Sequence, residues 1–110
     1  MKTNIVEIVP AGTAASVGFV PALTIPHFFN SQTGSAPIPP TFWAVGLGVG
    51  EEIEIQVPAR VDPTLSEDSH WSTFDRLTQG DFIRTSFGCA PVRVKKPVTT
   101  ASVSVLLARP

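Results

Sequence analysis

The stretch Glu52-Ile-Glu-Ile-Gln-Val57 alternates polar side chains with aliphatic ones, residue by residue. The same alternation returns in Val92-Arg-Val-Lys-Lys96 and in Ser102-Val-Ser-Val-Leu-Leu107, where only Leu106 breaks it. Successive side chains of a β-strand point to opposite faces, so this period predicts strands with one buried face and one exposed face. No segment shows helical spacing with comparable clarity. The sequence therefore predicts a small antiparallel β fold.

The composition agrees with a single domain built from short strands. The chain has 110 residues, of which 43% are hydrophobic and 15% charged, a balance typical of globular proteins. Eleven prolines and eight glycines suit many turns better than helices. We expect seven or eight strands arranged as an antiparallel β-sandwich, jelly-roll or immunoglobulin-like, with an extended Pro-rich N-terminal segment.

Two parts of the chain differ in character, although they belong to one compact domain. Residues 1–41 are predicted to form a first strand, Asn4–Val9, ended by Pro10, and then an extended arm rich in proline. Residues 42–110 are predicted to form the sandwich. There, Phe42–Val49 and Glu52–Val57 are expected to pair as a hairpin around Gly50, and His70–Leu77 to be an irregular strand or a short turn. Whether residues 10–41 extend as an arm or fold back on the domain stays open.

Charge is nearly balanced overall but unevenly distributed. The net charge is −1; residues 51–81 hold eight acidic side chains, and residues 82–110 hold five basic ones and no acid. Cross-strand pairing within a sheet is the favoured interpretation, ahead of a bipolar surface that orients neighbouring copies. The alternation places Arg93 and Lys95 on one face, with Lys96 next in the chain. A solvated strand face, or pairing with Glu52 and Glu54, is favoured there over nucleic-acid binding. We therefore expect no direct contact with nucleic acid.

No residue set points to catalysis, a cofactor or a metal. Asp68-Ser69-His70 contains the residue types of a catalytic triad, but neighbours on a strand face opposite ways and cannot form a relay. Two histidines and Cys89 stand at spacings unrelated to metal-ligand patterns. Cys89 is the only cysteine, so we expect a small packed side chain and leave its accessibility open. We predict a protein that is not an enzyme.

The chain shows no transmembrane run, and membrane binding is not expected. Its N-terminal apolar segment is interrupted by Glu7 and Pro10, which leaves it too short for a signal peptide. We therefore expect the protein to be made and kept inside a cell, or carried out in a particle.

The second half of the chain follows a recognisable order of elements. These are the acidic-apolar strand Glu51–Val57, Trp71, a turn at Gly80-Asp81, the run Gly88-x-x-Pro91-x-Arg93-Val94-x-Lys96-Pro97, and a final Val-x-Val-x-Leu strand. This order resembles the small β-sandwich virion proteins of tailed bacteriophages, in particular head decoration (cement) proteins. Residues 88–107 carry the best match, and the resemblance covers about half of the chain.

The resemblance implies a structural role on the outside of a capsid. Such a protein is made in the host cytoplasm, forms a homo-oligomer, commonly a trimer, and binds the major capsid protein so that the head withstands internal DNA pressure. An uncommitted Pro-rich arm suits docking across a neighbouring subunit, since proline reduces the entropy lost on ordering. The predicted interface residues in that arm are Phe28, Phe29 and Ile38.

Two other functions remain open at this point. One is a carbohydrate-binding or receptor-binding module of a phage tail or fibre, because sandwiches often carry such sites and Trp43 or Trp71 could stack on a sugar. The other is a head–tail adaptor. A monomer that binds glycans would favour the first, whereas a trimer that protects expanded capsids from heat would favour the decoration role.

Overall fold

A computed structural model describes residues 4–21, 27–30, 34–37, 41–84 and 91–109, and all structural statements below concern these residues. The strands are β1 (Asn4–Gly12), β2 (Ser16–Val20), β3 (His27–Asn30), β4 (Gly34–Pro37), β5 (Thr41–Val45), β6 (Ile53–Pro58), β7 (Trp71–Leu77), β8 (Phe82–Arg84), β9 (Val92–Lys96) and β10 (Val103–Arg109). One 3-10 turn, Asp68–His70, precedes β7.

Eight of the strands form two four-stranded antiparallel sheets. Sheet I has the order β1-β10-β5-β8, and sheet II has the order β2-β9-β6-β7. In each sheet a strand from the first half of the chain pairs with one from the second half: β1 with β10, β2 with β9, β5 with β8 and β6 with β7. This is one long antiparallel ribbon folded over on itself, the connectivity of a jelly roll. The predicted antiparallel β-sandwich is confirmed.

The core lies between the sheets and is built by the alternation seen in the sequence. Ile53 and Ile55 of β6 are completely buried, as are Val103 and Val105 of β10, while Glu54 between the isoleucines lies on the outer face. Each fully buried aliphatic side chain contributes on the order of 1.5–3 kcal/mol to folding. The period of two therefore specifies which face of each strand is buried.

The predicted hairpin between Phe42–Val49 and Glu52–Val57 is wrong. β5 ends at Val45 and pairs with β10 and β8 in sheet I, whereas β6 pairs with β7 and β9 in sheet II. The connection passes from one sheet to the other through Gly46 and Gly50, which have φ angles of 92° and 81°. Glycine adopts this left-handed backbone without steric cost, so these residues redirect the chain instead of closing a hairpin.

The first 41 residues contribute an edge strand to each sheet. β1 pairs with β10 and continues past Pro10 to Gly12, because an edge strand with a register shift after Val9 tolerates the missing proline N–H. β2 pairs along its whole length with β9. Ser16–Val20 therefore belongs to the sandwich, as an edge strand of sheet II.

Between β2 and β5 the chain inserts a separate hairpin. β3 pairs with β4, with His27 opposite Pro37 and Asn30 opposite Gly34. These two strands form their own sheet, apart from sheets I and II. Whether this hairpin acts as the predicted arm, and whether a domain boundary at residue 41 has meaning, stays a prediction.

Three loops are tied together at one end of the sandwich. The carboxylate of Glu51 accepts hydrogen bonds from the backbone N–H of Thr100 at 2.9 Å and of Gly48 at 2.7 Å. The buried ammonium of Lys96 donates to the carbonyl of Ala14 at 2.6 Å. The backbone N–H of Thr100 and then that of Gly48 lower the pKa of Glu51 below its ordinary value. This end of the sandwich is consequently fixed by polar contacts as well as by the core.

Candidate interaction surface

The outer face of sheet I carries apolar side chains where water would normally favour polar ones. We call it the apolar face and define it by Ile5, Trp43, Val45, Phe82, Leu106 and Ala108. On β5 the inward positions are Phe42 and Ala44, so Trp43 and Val45 point outward. Ile5, Val45 and Phe82 are 61%, 49% and 69% exposed. Large exposed apolar groups that gather on one face mark an interaction site more often than scattered ones do.

Strand register makes this face continuous. Leu106 of β10 lies opposite Trp43 of β5, and Trp43 lies opposite Phe82 of β8. The rings of Trp43 and Phe82 have centroids 5.9 Å apart at an interplanar angle of 35°. On the other side of β10, Ile5 pairs with Ala108. Apolar side chains therefore reach from one edge of the sheet to the other.

Polar positions also occur on the outer face of sheet I, where the register pairs Thr41 with Arg84 next to the pair of Trp43 and Phe82. Glu7 lies opposite Leu106 on the edge strand β1, and Ser104 lies opposite Val45. The ion pairs found among the described residues all lie elsewhere, on the side of sheet II. Covering Glu7 would cost free energy unless the partner surface supplied an opposite charge.

Sheet II differs, because part of its outer face is covered by the protein's own chain. The loop of residues 59–70 crosses it: the carbonyl of Thr64 accepts a hydrogen bond from the indole N–H of Trp71 at 3.0 Å. The carboxylate of Asp68 bonds Arg93 at 2.5 Å and Lys95 at 3.0 Å. Arg93 is only 2% exposed as a result. The outer face of sheet II is therefore mixed: its cations Arg93 and Lys95 have an internal partner in Asp68, while Val17 and Phe19 of β2 are exposed.

The predicted basic residues are separated by the fold. Arg93 and Lys95 share one face, as expected, but the partner found for both is Asp68 and not a glutamate. Glu52 pairs with Arg76 at 3.5 Å. Lys96 points away from this face and is buried. Asp68 could not be inferred as the partner because it lies 25 residues from Arg93 in the sequence.

The Asp68-Ser69-His70 segment is a 3-10 turn and not part of a strand. The ring Nδ1 of His70 accepts a hydrogen bond from the backbone N–H of Thr64 at 2.9 Å, and its Nε2 lies 3.1 Å from the guanidinium of Arg60. The guanidinium of Arg93 and the ammonium of Lys95 hold the pKa of Asp68 below its ordinary value. These contacts fix the 59–70 loop.

The predicted interface residues are not tested by these contacts. Phe28 and Phe29 lie in β3, whose side chains are not described, and Ile38 and Cys89 lie outside the described residues. The prediction missed Val45, Phe82 and Leu106. The sequence did carry a sign of this face, because residues 41–45 and 103–108 have apolar side chains on both faces of the strand.

The chain matches no protein-family model, no curated protein and no solved structure. Within the described parts of the chain there is no helix of the length and hydropathy needed to cross a membrane. The same residues contain no group of three or more His, Cys, Asp or Glu side chains placed to hold a metal ion.

Proposed function

We propose that this protein is a non-enzymatic structural component of a virus particle, a capsid decoration protein that stabilises the head by bridging capsid subunits. The observation that carries this proposal is the apolar face, on which Ile5, Val45 and Phe82 remain exposed. Further copies of the same chain would cover the apolar face, in a closed oligomer such as a trimer. The jelly-roll connectivity is compatible with this role, since capsid proteins use it, but a fold alone does not assign a function.

Covering the apolar face would contribute free energy to assembly. Full burial of an exposed Val, Ile or Phe side chain is worth about 1.5–3 kcal/mol. Association costs about 4–15 kcal/mol in lost freedom. Because Ile5, Val45 and Phe82 are already partly buried, covering their exposed fractions is worth roughly 3–5 kcal/mol per subunit, which offsets only the lower part of that cost. In a trimer, whose interfaces are heterologous, this face would contact a different surface of the neighbouring copy.

The proposal is tested with expanded capsids and charge-bearing variants. Wild-type protein should bind the shells as an oligomer and raise the temperature at which they rupture. The double variant Val45→Glu with Phe82→Glu should lose both properties and remain folded. Val61→Glu serves as the control, because Val61 is 96% exposed on the 59–70 loop, away from the apolar face. Equal protection by the double variant would contradict the proposal.

A carbohydrate-binding module is the second candidate, favoured by one observation. The ring of the half-buried Trp43 lies beside the exposed ring of Phe82, and a sugar could stack on this aromatic pair. A monomer that binds glycans, and that loses this binding in Trp43→Ala, would support this function in place of decoration.

A further inference from the structure

A cavity of about 320 Å³ lies over sheet II, between the start of β2 and the 59–70 loop. The polar and charged residues that line it are Ser16, Ser66, Asp68, Arg93, Lys95 and Lys96. On the face of sheet II the cations Arg93 and Lys95 outnumber the anion Asp68, while the buried ammonium of Lys96 lies at the carbonyl of Ala14. The cavity therefore carries excess positive charge, which attracts an anion.

Arg93 has more hydrogen-bond donors than the described residues use. Its Nη2 donates to Asp68, but Nε and Nη1 are buried and have no acceptor among the described residues. The guanidinium carbon lies 6.0 Å from the ring centre of Trp71. Because Nε and Nη1 are shielded from solvent, Nη2 is the donor of Arg93 that a ligand in the cavity could take over from Asp68.

The contacts of Asp68 indicate which kind of ligand Arg93 and Lys95 can bind. One oxygen of its carboxylate lies 2.5 Å from Arg93 Nη2, and the other lies 3.0 Å from Lys95 Nζ. The side chain of Asp68 is 64% exposed and belongs to a surface loop. A carboxylate from outside can take this bridging position when Asp68 moves aside, since both groups offer the same pair of acceptor oxygens.

The charged side chains nearby have contacts of their own, so they do not prevent a ligand carboxylate from replacing the carboxylate of Asp68. Glu54 lies opposite Lys95 in the strand register, but its Oε1 accepts the hydroxyl of Thr73 at 2.5 Å. Lys96 donates to the carbonyl of Ala14, so it adds positive potential without having to contact a ligand. The hydroxyls of Ser16 and Ser66 are further donors at the wall of the cavity.

We propose that this cavity binds an oxyanion, with a carboxylate as the preferred form, in competition with Asp68. Arg93 and Lys95 contact the bound group directly. The site lies on sheet II, so it is separate from the apolar face and does not depend on the decoration function.

The test is an NMR titration of the full-length, ¹⁵N-labelled protein with sodium acetate and, in a second arm, with inorganic phosphate, both at constant ionic strength set by chloride. Acetate should shift the signals of Arg93 and Lys95 saturably. Lys95→Gln should weaken binding about tenfold, and Asp68→Asn should tighten it severalfold because the competing carboxylate is gone. Arg76→Gln is the matched control: it removes a cation from the same sheet outside this cavity and should leave binding unchanged.

Each other outcome contradicts the inference. Shifts that do not saturate, or equal binding by wild type and Lys95→Gln, would show that no oxyanion site exists here. Saturable binding of phosphate without acetate would overturn the preference for a carboxylate. Weaker binding by folded Asp68→Asn would show that Asp68 belongs to the ligand network instead of competing with it.

Discussion

Gly18 of β2 sits where the edge strands of the two sheets come closest. A Cβ atom at this position would lie 2.6 Å from the Cγ2 of Ile8 and 2.7 Å from the Ile8 carbonyl oxygen. The carbonyl belongs to the backbone of β1 and cannot rotate away as a side chain can. Glycine is therefore required by the packing of β2 against β1, even though no unusual backbone angle is involved.

We expect Gly18→Ala to lower the free energy of unfolding by about 1–3 kcal/mol, because the added methyl overpacks the interface between β1 and β2. Denaturant unfolding followed by fluorescence measures this change. Gly12→Ala is the matched control, since a Cβ there meets nothing within 4 Å. Equal stability of the two variants would show that the two edge strands do not pack as described.

Two carboxylates should make stability depend on pH. The pKa of Glu51 lies below its ordinary value of 4.5, mainly because the backbone N–H of Thr100 donates to its carboxylate. The pKa of Asp68 lies below its ordinary value of 3.8, mainly because Arg93 donates to its carboxylate. The unfolded chain therefore binds more protons than the folded chain in this range. Their contribution is complete above the ordinary values and is lost as pH falls through the lower folded values.

We expect the urea midpoint to fall as pH decreases below about 4.5. Glu51→Gln and Asp68→Asn should each flatten part of this decline, with lower stability at neutral pH because the ionised acceptor is gone. Asp62→Asn, on the exposed surface of the 59–70 loop, controls for the loss of one negative charge. An unchanged pH profile in both test variants would contradict the assigned contacts.

At the scale of elements, the sequence predicted which face of a strand is buried better than it predicted which strands pair with each other. The alternation of Ile53 and Ile55 with polar residues identified both the strand and its buried side. It could not show that β6 pairs with β7 and β9 and not with β5, because strands of either sheet have the same period of two. The glycines between β5 and β6 were visible, but a turn within one sheet and a crossing between two sheets use the same residue type.

The inserted hairpin gives an element-scale prediction. β3 and β4 pair with each other and with no other described strand, so the eight-stranded sandwich should fold without them. We expect replacement of residues 22–40 by about eight glycine and serine residues, enough to span sheets about 10 Å apart, to preserve the β-rich circular dichroism spectrum and cooperative unfolding.

Deletion of residues 4–12 is the comparison, because β1 pairs with β10 and supplies the fully buried Val9. That deletion should abolish cooperative unfolding. If replacement of residues 22–40 were equally damaging, the hairpin would be part of the core and not a separate element available for docking.

For the whole molecule, the two outer faces differ in how much of them the chain itself covers. The 59–70 loop partly covers sheet II, where Asp68 contacts Arg93 and Lys95 and where Val17 and Phe19 are also exposed. On sheet I, Ile5, Val45 and Phe82 remain exposed. The sequence signal for this asymmetry was weak, since a strand apolar on both faces, such as Thr41–Val45, can equally be a buried central strand.

Sedimentation velocity of the isolated protein tests the central claim most directly, because it measures whether the apolar face joins copies of the chain. Wild type and Val61→Glu should sediment as the same oligomer over a range of concentrations, while folded Val45→Glu with Phe82→Glu should sediment as a monomer. A wild-type monomer at every concentration, or an unchanged oligomer in the double variant, would contradict the account.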